Sequence, residues 1–380
     1  MTSSSGFPPP PSALAIRVSK TAGLTLAVFM AAGLVATGAL MISGKVQWLP
    51  ADTTVDSVLH GEVTHALAKQ LSGTFMAKQL ADLERGASWL VLRDTGPRVR
   101  QGCPGWLFLT DELRLNRHAR ANADTKAQAV IELQQSLRKR GIELLVAVVP
   151  DKSRIASSEL CSVYRPADLQ GRVADWTQAL TSAGVKALDL TATLQPLGAQ
   201  AYLRTDTHWS EPGADAAAKA VAARVRQMGI EATPARQFNT QSSAEAVRPG
   251  DLVRLAGIDW LPLAWQPPAE RVAATQITEQ VQATPAGGDS LDDLFGDSNL
   301  PNVALIGTSF SRNSNFAGFL QRALAAPIGN FAKDGGEFSG AAKGYFDNPA
   351  FKQTPPALVI WEIPERDLQT PYADRFKTSF

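Results

Sequence analysis

The chain has 380 residues, 44% hydrophobic and 19% charged, a composition that suits one large folded core or two modest ones and excludes disorder as its default state. Its 37 Lys and Arg balance 36 Asp and Glu, so no bulk charge draws it to nucleic acid or to an anionic surface. Two cysteines and four histidines show no metal-type spacing, and no metal is expected.

Residues 1–20 are polar and Pro-rich and carry Arg17 and Lys20, whereas Thr21 to Gly44 contains no charged residue. About 20 apolar residues suffice to cross a bilayer. Only Lys45 follows before Asp52 and Asp56, so the positive-inside rule puts residues 1–20 in the cytoplasm and the bulk of the chain outside. A cleaved signal peptide is the alternative. Its apolar core would be about 7 to 15 residues long, and the small-residue sites Ala36-Thr37-Gly38 and Gly38-Ala39-Leu40 lie deep inside a longer run, which favours an uncleaved signal anchor over 21–44. In an exported chain Cys103 and Cys161 are expected to pair in one disulfide, against the alternative of two small buried thiols.

Val55, Val58, Leu59, Val63, Leu67, Leu71 and Phe75 recur at three and four residues and predict a helix from Asp52 to Glu84, a stalk spanning 45–84. His60 and His65 lie in it without a catalytic companion. The folded region expected over 85–380 begins with Arg85 to Leu92, and the turn Gly102-Cys103-Pro104-Gly105 then introduces the short strand Trp106-Leu107-Phe108-Leu109. His118 sits among Arg114, Arg117 and Arg120, a cationic face that reads as solvated. Thr125 to Arg140 predicts a helix stopped by Gly141, and Ile142 to Val149 a strand buried on both faces of a parallel sheet. Asp151, Lys152 and Arg154 follow at its carboxyl end, where such sheets carry ligand sites.

The alternation continues with a helix over Arg172 to Ala183, a strand over Val185 to Leu190, and a helix from Glu211 through Arg226 with Ser210 as its N-cap. The loop just before that helix holds Thr205-Asp206-Thr207-His208-Trp209-Ser210. Residues 230–300 are rich in Pro, Gln and Thr and read as an irregular insertion with short strands, Ala256 to Leu263 among them. Trp209, Trp260 and Trp265 are candidates to stack on sugar, with packing under the insertion as the alternative for the last two. Val303 to Ile306 is a buried strand, Gly307-Thr308-Ser309 a tight turn, and Phe316, Phe319, Leu320 and Leu324 mark a helix. Strand, turn with serine, helix is the context of a nucleophile elbow. Ala357 to Ile363 closes the pattern as a further strand.

Asp206, His208 and Ser309 thus offer a carboxylate, an imidazole and a hydroxyl, the groups of a nucleophilic acyl-transfer site. Ser311 and Ser314 are rival nucleophiles by spacing. Ser311 stands where the second glycine of G-x-S-x-G would be, and the order Asp, His, Ser differs from that of α/β-hydrolases.

Five blocks, Gly105-Trp106-Leu107-Phe108-Leu109, Val149-Pro150-Asp151-Lys152-Ser153, Asp206-Thr207-His208-Trp209, Gly307-Thr308-Ser309-Phe310-Ser311 and Trp361-Glu362-Ile363-Pro364-Glu365-Arg366, occur in the order found in the alginate O-acetyltransferase family of the SGNH-hydrolase superfamily, which the chain resembles over roughly residues 85–380. The resemblance implies a three-layer α/β fold with a parallel central sheet. It further implies a periplasmic enzyme, held in a bacterial inner membrane by one helix, that acetylates hydroxyls of an alginate-like or cellulose-like exopolysaccharide. Ser309 matches the nucleophile, His208 the general base and acid, and Asp206 its orienting residue. A membrane-bound O-acyltransferase would donate the acetyl group, and no cofactor is implied. The superfamily's GDS-type first block is absent as such. Asn313 and Asn315 are the nearest candidates for oxyanion donors, and Glu362, Glu365 and Arg366 for supporting groups, with structural ion pairing the alternative. An acetylesterase and a non-catalytic polysaccharide-binding or assembly protein are the competing functions.

Overall fold

The computed structural model describes residues 19–44, 47, 49, 53–280, 300–372 and 375–376. The tail up to residue 18, Lys45, Asp52 and the 281–299 part of the expected insertion lie outside the described residues. The chain divides into two compact units, Met1–Leu83 and Glu84–Phe380.

In the first unit α1 (Lys20–Ile42) is apolar all round and is capped by Ser19, whose Oγ accepts from the Ala22 N–H at 3.3 Å. Its 23 residues are long and apolar enough to cross a membrane, a test that a signal sequence near the N-terminus also passes. The single helix expected from Asp52 to Glu84 is instead three, α2 (Val55–Leu59), α3 (Glu62–Ser72) and α4 (Phe75–Leu92), the last running into the second unit. Gly61, at φ 76°, takes a left-handed turn that a continuous helix does not allow, and Gly73 ends α3. The apolar spacing spans these breaks, so periodicity alone does not reveal them.

The second unit opens with an antiparallel pair, β1 (Val99–Gln101) and β2 (Leu107–Leu109), followed by α5 (Ala119–Arg138) and β3 (Glu143–Val149). After the short α6 (Lys152–Ile155) come α7 (Arg172–Ser182), β4 (Lys186–Asp189), α8 (Thr191–Leu194) and α9 (Glu211–Gln227). A long hairpin of β5 (Phe238–Arg248) and β6 (Glu270–Glu279) encloses α10 (Asp251–Leu255). The chain then runs through β7 (Val303–Ile306), α11 (Phe316–Leu324), β8 (Gly329–Asn330), α12 (Gly340–Phe346), α13 (Pro349–Gln353) and β9 (Leu358–Pro364).

Five strands form one parallel sheet in the order β4-β3-β9-β7-β8. Its residues point alternately to two cores. Leu144, Val146, Val148, Val359, Trp361 and Ile363 face α5, α7 and α12, while Leu145, Ala147, Val149, Leu305, Leu358 and Ile360 face α9 and α11. Burial on both faces explains why these strands read as continuous apolar runs and not as alternating ones. Two helical layers on one parallel sheet make a three-layer α/β fold.

The expected strand over Ala256 to Leu263 is absent: Gly257 is left-handed at φ 70° and Pro262 leads into a turn. The strands of this region are the flanking polar ribbons β5 and β6, largely exposed, which lack the buried face that makes a strand visible in sequence. Cys103 and Cys161 are joined across a separation of 58 residues, tying the turn before β2 to the segment after α6. Opening a loop of that length releases chain entropy worth about 4 kcal/mol to the unfolded state. The double Cys103→Ser, Cys161→Ser variant should therefore melt lower than the oxidised protein, by an amount that reducing agent reproduces on the parent. Differential scanning calorimetry with and without reductant checks this.

Candidate active site

β7 ends where Gly307 brings the chain against β9. A Cβ on Gly307 would lie 2.5 Å from Glu362 Oε2 and 2.8 Å from Ser311 Oγ, so only glycine fits. The buried Glu362 carboxylate accepts from the Thr308 N–H at 2.7 Å, from Thr308 Oγ1 at 3.1 and 3.0 Å, and from Ser311 Oγ at 3.0 Å. Burial raises its pKa, and the donors from Thr308 and Ser311 work against that rise. Held in this way, the turn buries Thr308 and Ser311 and leaves Ser309 partly exposed between them.

Ser309 Oγ meets His208 Nε2 at 2.7 Å, and His208 Nδ1 meets Asp206 Oδ1 at 2.6 Å. The same carboxylate oxygen accepts the His208 backbone N–H at 2.9 Å. Burial opposes the charge on Asp206, but the hydrogen bond and charge of His208 outweigh it and hold the carboxyl down at about 2. The rival serines are committed elsewhere. Ser311 Oγ is fully buried on Glu362, and Ser314 Oγ donates to the Trp209 carbonyl at 2.6 Å.

The loop bearing Asp206 is fixed from below by Lys152. This fully buried ammonium donates to the carbonyls of Leu107 at 2.6 Å, Arg204 at 2.7 Å and Asp206 at 3.0 Å, and stands 5.1 Å from the Trp106 and Phe108 rings. Burial drives its pKa down to about 8 against the attraction of Glu112 and Asp206. From the side, Asp251 at the start of α10 accepts the Thr207 N–H at 2.7 Å and the Thr207 hydroxyl at 2.6 Å. Sequence reasoning missed both roles. Lys152 carried a signal, being a lysine at the end of a buried strand, but Asp251 lies in the insertion with nothing local to mark it.

A cavity of about 570 Å³ opens over Ser309, lined among others by Thr207, Asp251, Thr308, Arg366, Arg98 and Arg114. Arg114 also lines an adjoining depression with Arg100 and the exposed Tyr164, so one of the arginines read as merely solvated borders the site. Arg366 sits 5.1 Å over the Phe310 ring, whose own edge contacts His208 at 5.1 Å.

Other sequence candidates are placed differently. Asn313 reaches the site: its Nδ2 donates to the Ser309 carbonyl at 2.9 Å and lies 3.4 Å from His208 Nε2, while Arg248 holds its oxygen at 3.2 Å. Asn315 does not, because its amide donates to the Thr275 carbonyl at 2.7 Å and ties β6 to the start of α11. Trp209 is no sugar platform: it is wholly buried against Phe310 and Phe316. Trp260 lies against Gly86 and the Trp265 carbonyl accepts from Trp89, and neither tryptophan lines the Ser309 cavity. Asp206, His208 and Asp251 offer ligand atoms within 4.8 Å of one another, and these same groups hydrogen-bond to the loop and to each other.

The family described as SGNH hydrolase-like domain, acetyltransferase AlgX, matches residues 99–365. The chain belongs to that family. The probable alginate O-acetylase AlgJ of Azotobacter vinelandii is 32% identical over 363 residues, covering 93% of this chain and 91% of that protein. Its namesake in Pseudomonas aeruginosa is 33% identical over 319 residues, 82% of this chain and 81% of the relative. The solved O-acetyltransferase domain of Pseudomonas putida AlgJ superposes with a TM-score of 0.62 at 28% identity, over 73% of this chain and 94% of that one. The three-layer fold on a parallel sheet is thus that of an SGNH-like acetyltransferase domain.

Lys152→Met keeps the length of the side chain but takes the ammonium from the Leu107 and Asp206 carbonyls and leaves the Arg204 carbonyl with the Leu107 N–H alone. It should cost roughly 3 kcal/mol or more, read as a lower urea midpoint at unchanged m-value. Asp206, whose folded value lies below its ordinary 3.8, contributes stability that is complete above the ordinary value and is lost as pH falls through about 2. In Asp206→Asn the decline of stability between about pH 4 and pH 2 should accordingly be shallower, as acid titration followed by circular dichroism would show.

Proposed function

We propose that the chain is an O-acetyltransferase that moves acetyl groups onto hydroxyls of an exopolysaccharide through an acetyl-Ser309 intermediate. The unbroken relay from Asp206 through His208 to Ser309 at the floor of an open cavity carries this reading. With Nδ1–H held by Asp206, the free electron pair of His208 Nε2 faces the serine. Ser309 Oγ attacks the donor's acetyl carbonyl as its proton passes to Nε2, the tetrahedral intermediate collapses, and the donor leaves with that proton. An acceptor hydroxyl then gives its proton to Nε2 and attacks acetyl-Ser309, which returns the serine its proton through His208. Asn313, already against Ser309, is the side chain we assign to the developing oxyanion, a role in which one donor is worth about 10²–10³ in rate.

On this reading residues 1–20 stay in the cytoplasm, 21–44 anchor the protein in the inner membrane, 45–84 form the stalk, and 85–380 work in the periplasm. The acetyl donor is a membrane-bound O-acyltransferase. The relatives' printed activity, alginate O-acetylation, points to an acidic polymer, and two exposed cations beside the cavity suit one: Arg100 and Arg114, the latter only loosely paired with Asp111 at 3.8 Å, border a depression next to the exposed Tyr164 ring. Guanidinium groups pair with sugar carboxylates and an aromatic face supports a sugar ring. A neutral, cellulose-like chain would form no ion pair with these arginines.

Full-length protein in detergent should release acetate from an aryl acetate, and Ser309→Ala should lower this by at least ~10³-fold. Equal turnover by the two would remove the acetyl-serine. With acidic oligosaccharide present, acetylated sugar should appear at the expense of free acetate, as mass spectrometry of the products would record. Arg114→Ala should raise the half-saturating concentration of that acceptor about tenfold and reduce its salt sensitivity.

A further inference from the structure

We propose that Asp251 is a positioning residue of this site, a second carboxylate that clamps the Asp206-Thr207-His208 loop and stabilises the imidazolium formed during turnover; the inference rests on the acyl-transfer reading above. Asp206 is already committed, since its Oδ1 takes two N–H groups of His208 and its Oδ2 takes the backbone N–H of Asp251 at 3.3 Å. The Asp251 carboxylate takes both donors of the intervening Thr207. That choice matters for the imidazole. Thr207 Oγ1 lies 3.3 Å from His208 Nδ1, and a hydroxyl that spends its proton on Asp251 can only accept from the ring. Nδ1 therefore faces three acceptors, Asp206 Oδ1, Thr207 Oγ1 and, at 3.7 Å, Asp251 Oδ2. All three favour the proton on Nδ1 and leave Nε2 as the base toward Ser309.

Asp251 is placed independently of the loop it holds. Leu252 and Val253 anchor α10 in a cluster with Trp89, Leu107 and Leu109. Leu252 N–H donates to the Thr205 carbonyl at 3.2 Å, and a Cβ on Gly250 would lie 2.0 Å from that oxygen, so the two segments are in direct backbone contact. The charged groups around His208 are Asp206 and Asp251 on the Nδ1 side, Lys152 on the Asp206 carbonyl, Arg248 through Asn313, Arg366 behind Phe310, and Glu362 behind Thr308. Of these, Asp206 and Asp251 have a carboxylate oxygen within 4 Å of the ring nitrogen.

The test compares full-length parent, Asp251→Asn, Asp251→Glu and Thr207→Val in detergent with a small aryl acetate. Asp251→Asn should lower kcat about tenfold or more and move the acidic limb of kcat/KM about one unit to lower pH, because the imidazolium has lost a neighbouring anion. Asp251→Glu should return the limb toward its original position. Thr207→Val, which keeps both carboxylates, should lower kcat and leave the limb in place. A limb that stays put in Asp251→Asn overturns the electrostatic role, and a Thr207→Val enzyme with the parent's kcat overturns the clamp even if Asp251→Asn does not fold. Histidine 13C NMR titration of parent and Asp251→Asn reads the same charge effect without turnover. If Ser309→Ala proves fully active the acyl-serine reading fails, whereas an unmoved His208 titration in Asp251→Asn fails this inference alone.

Discussion

A buried ammonium surrounded by carbonyl oxygens organises the site. Lys152 has no access to water, so each of its protons needs an acceptor, and it finds them on Leu107 in β2 and on Arg204 and Asp206 in the loop before α9. Three stretches, the outer two 45 to 54 residues from Lys152 in sequence, are thereby brought to one point at the carboxyl end of β3. The loop that carries Asp206 is not a free surface loop; one backbone oxygen of Asp206 is held from inside while its side chain holds His208. Two of the ordered sequence blocks, Gly105 to Leu109 and Val149 to Ser153, are the two sides of this contact.

The last block serves the same purpose on β9. Glu362 and Glu365 lie three residues apart, either side of the strand's end, and each solves a burial problem by drawing a neighbouring segment to itself. Glu362 gathers Thr308 and Ser311 and so decides that Ser309 is the serine left facing out. Glu365 gathers Arg154, Arg165 and Arg172 and accepts the Asp151 N–H, which joins the ends of β3 and β9. Burial raises the Glu365 carboxyl, and the arginines overcome that and hold it low; burial and the neighbouring Glu365 push Asp151 the other way. Such clusters add little net stability because desolvation consumes most of the attraction, but they specify which segments may meet. A polar frame of this kind suits a site in which a 1 Å error in the His208 to Ser309 distance is costly.

Much of this was legible in the sequence where burial was uniform. Strands with both faces covered read as apolar runs, and β3, β7 and β9 were expected within a residue or two of where they lie. Helix starts were legible where a cap marks them, as Ser210 does for α9. What stayed hidden had no local signal. The β5–β6 ribbon is stabilised by pairing between two polar strands, and pairing partners some thirty residues apart leave no periodicity in either strand. Asp251 was invisible for a related reason: its meaning depends on α10 docking against Thr205, a contact settled by the Gly250 backbone and not by any motif. Trp209, a substrate-binding candidate by sequence, fills the space between Phe310 and Phe316, and the sequence next to it does not show that burial.

If Ser309 carries the acetyl group as proposed, the geometry also bears on the fate of that acyl-enzyme. His208 holds Ser309, and Ser309 lines the open cavity together with Thr207 and Asp251, so on the acyl-transfer proposal any hydroxyl entering that cavity, water included, comes to the same serine. Nothing in the relay itself distinguishes a sugar from water. On that proposal, preference for transfer would come from residence: a polymer bound along the rim would present its hydroxyls at high effective concentration, as a tethered group does. Arg114 borders both the cavity and a neighbouring depression, so a polymer in contact with it would lie within reach of both. On the acyl-transfer proposal, the relay at the floor of the cavity would serve an esterase and a transferase alike, and the choice between them would fall to the arginines and the tyrosine at its rim.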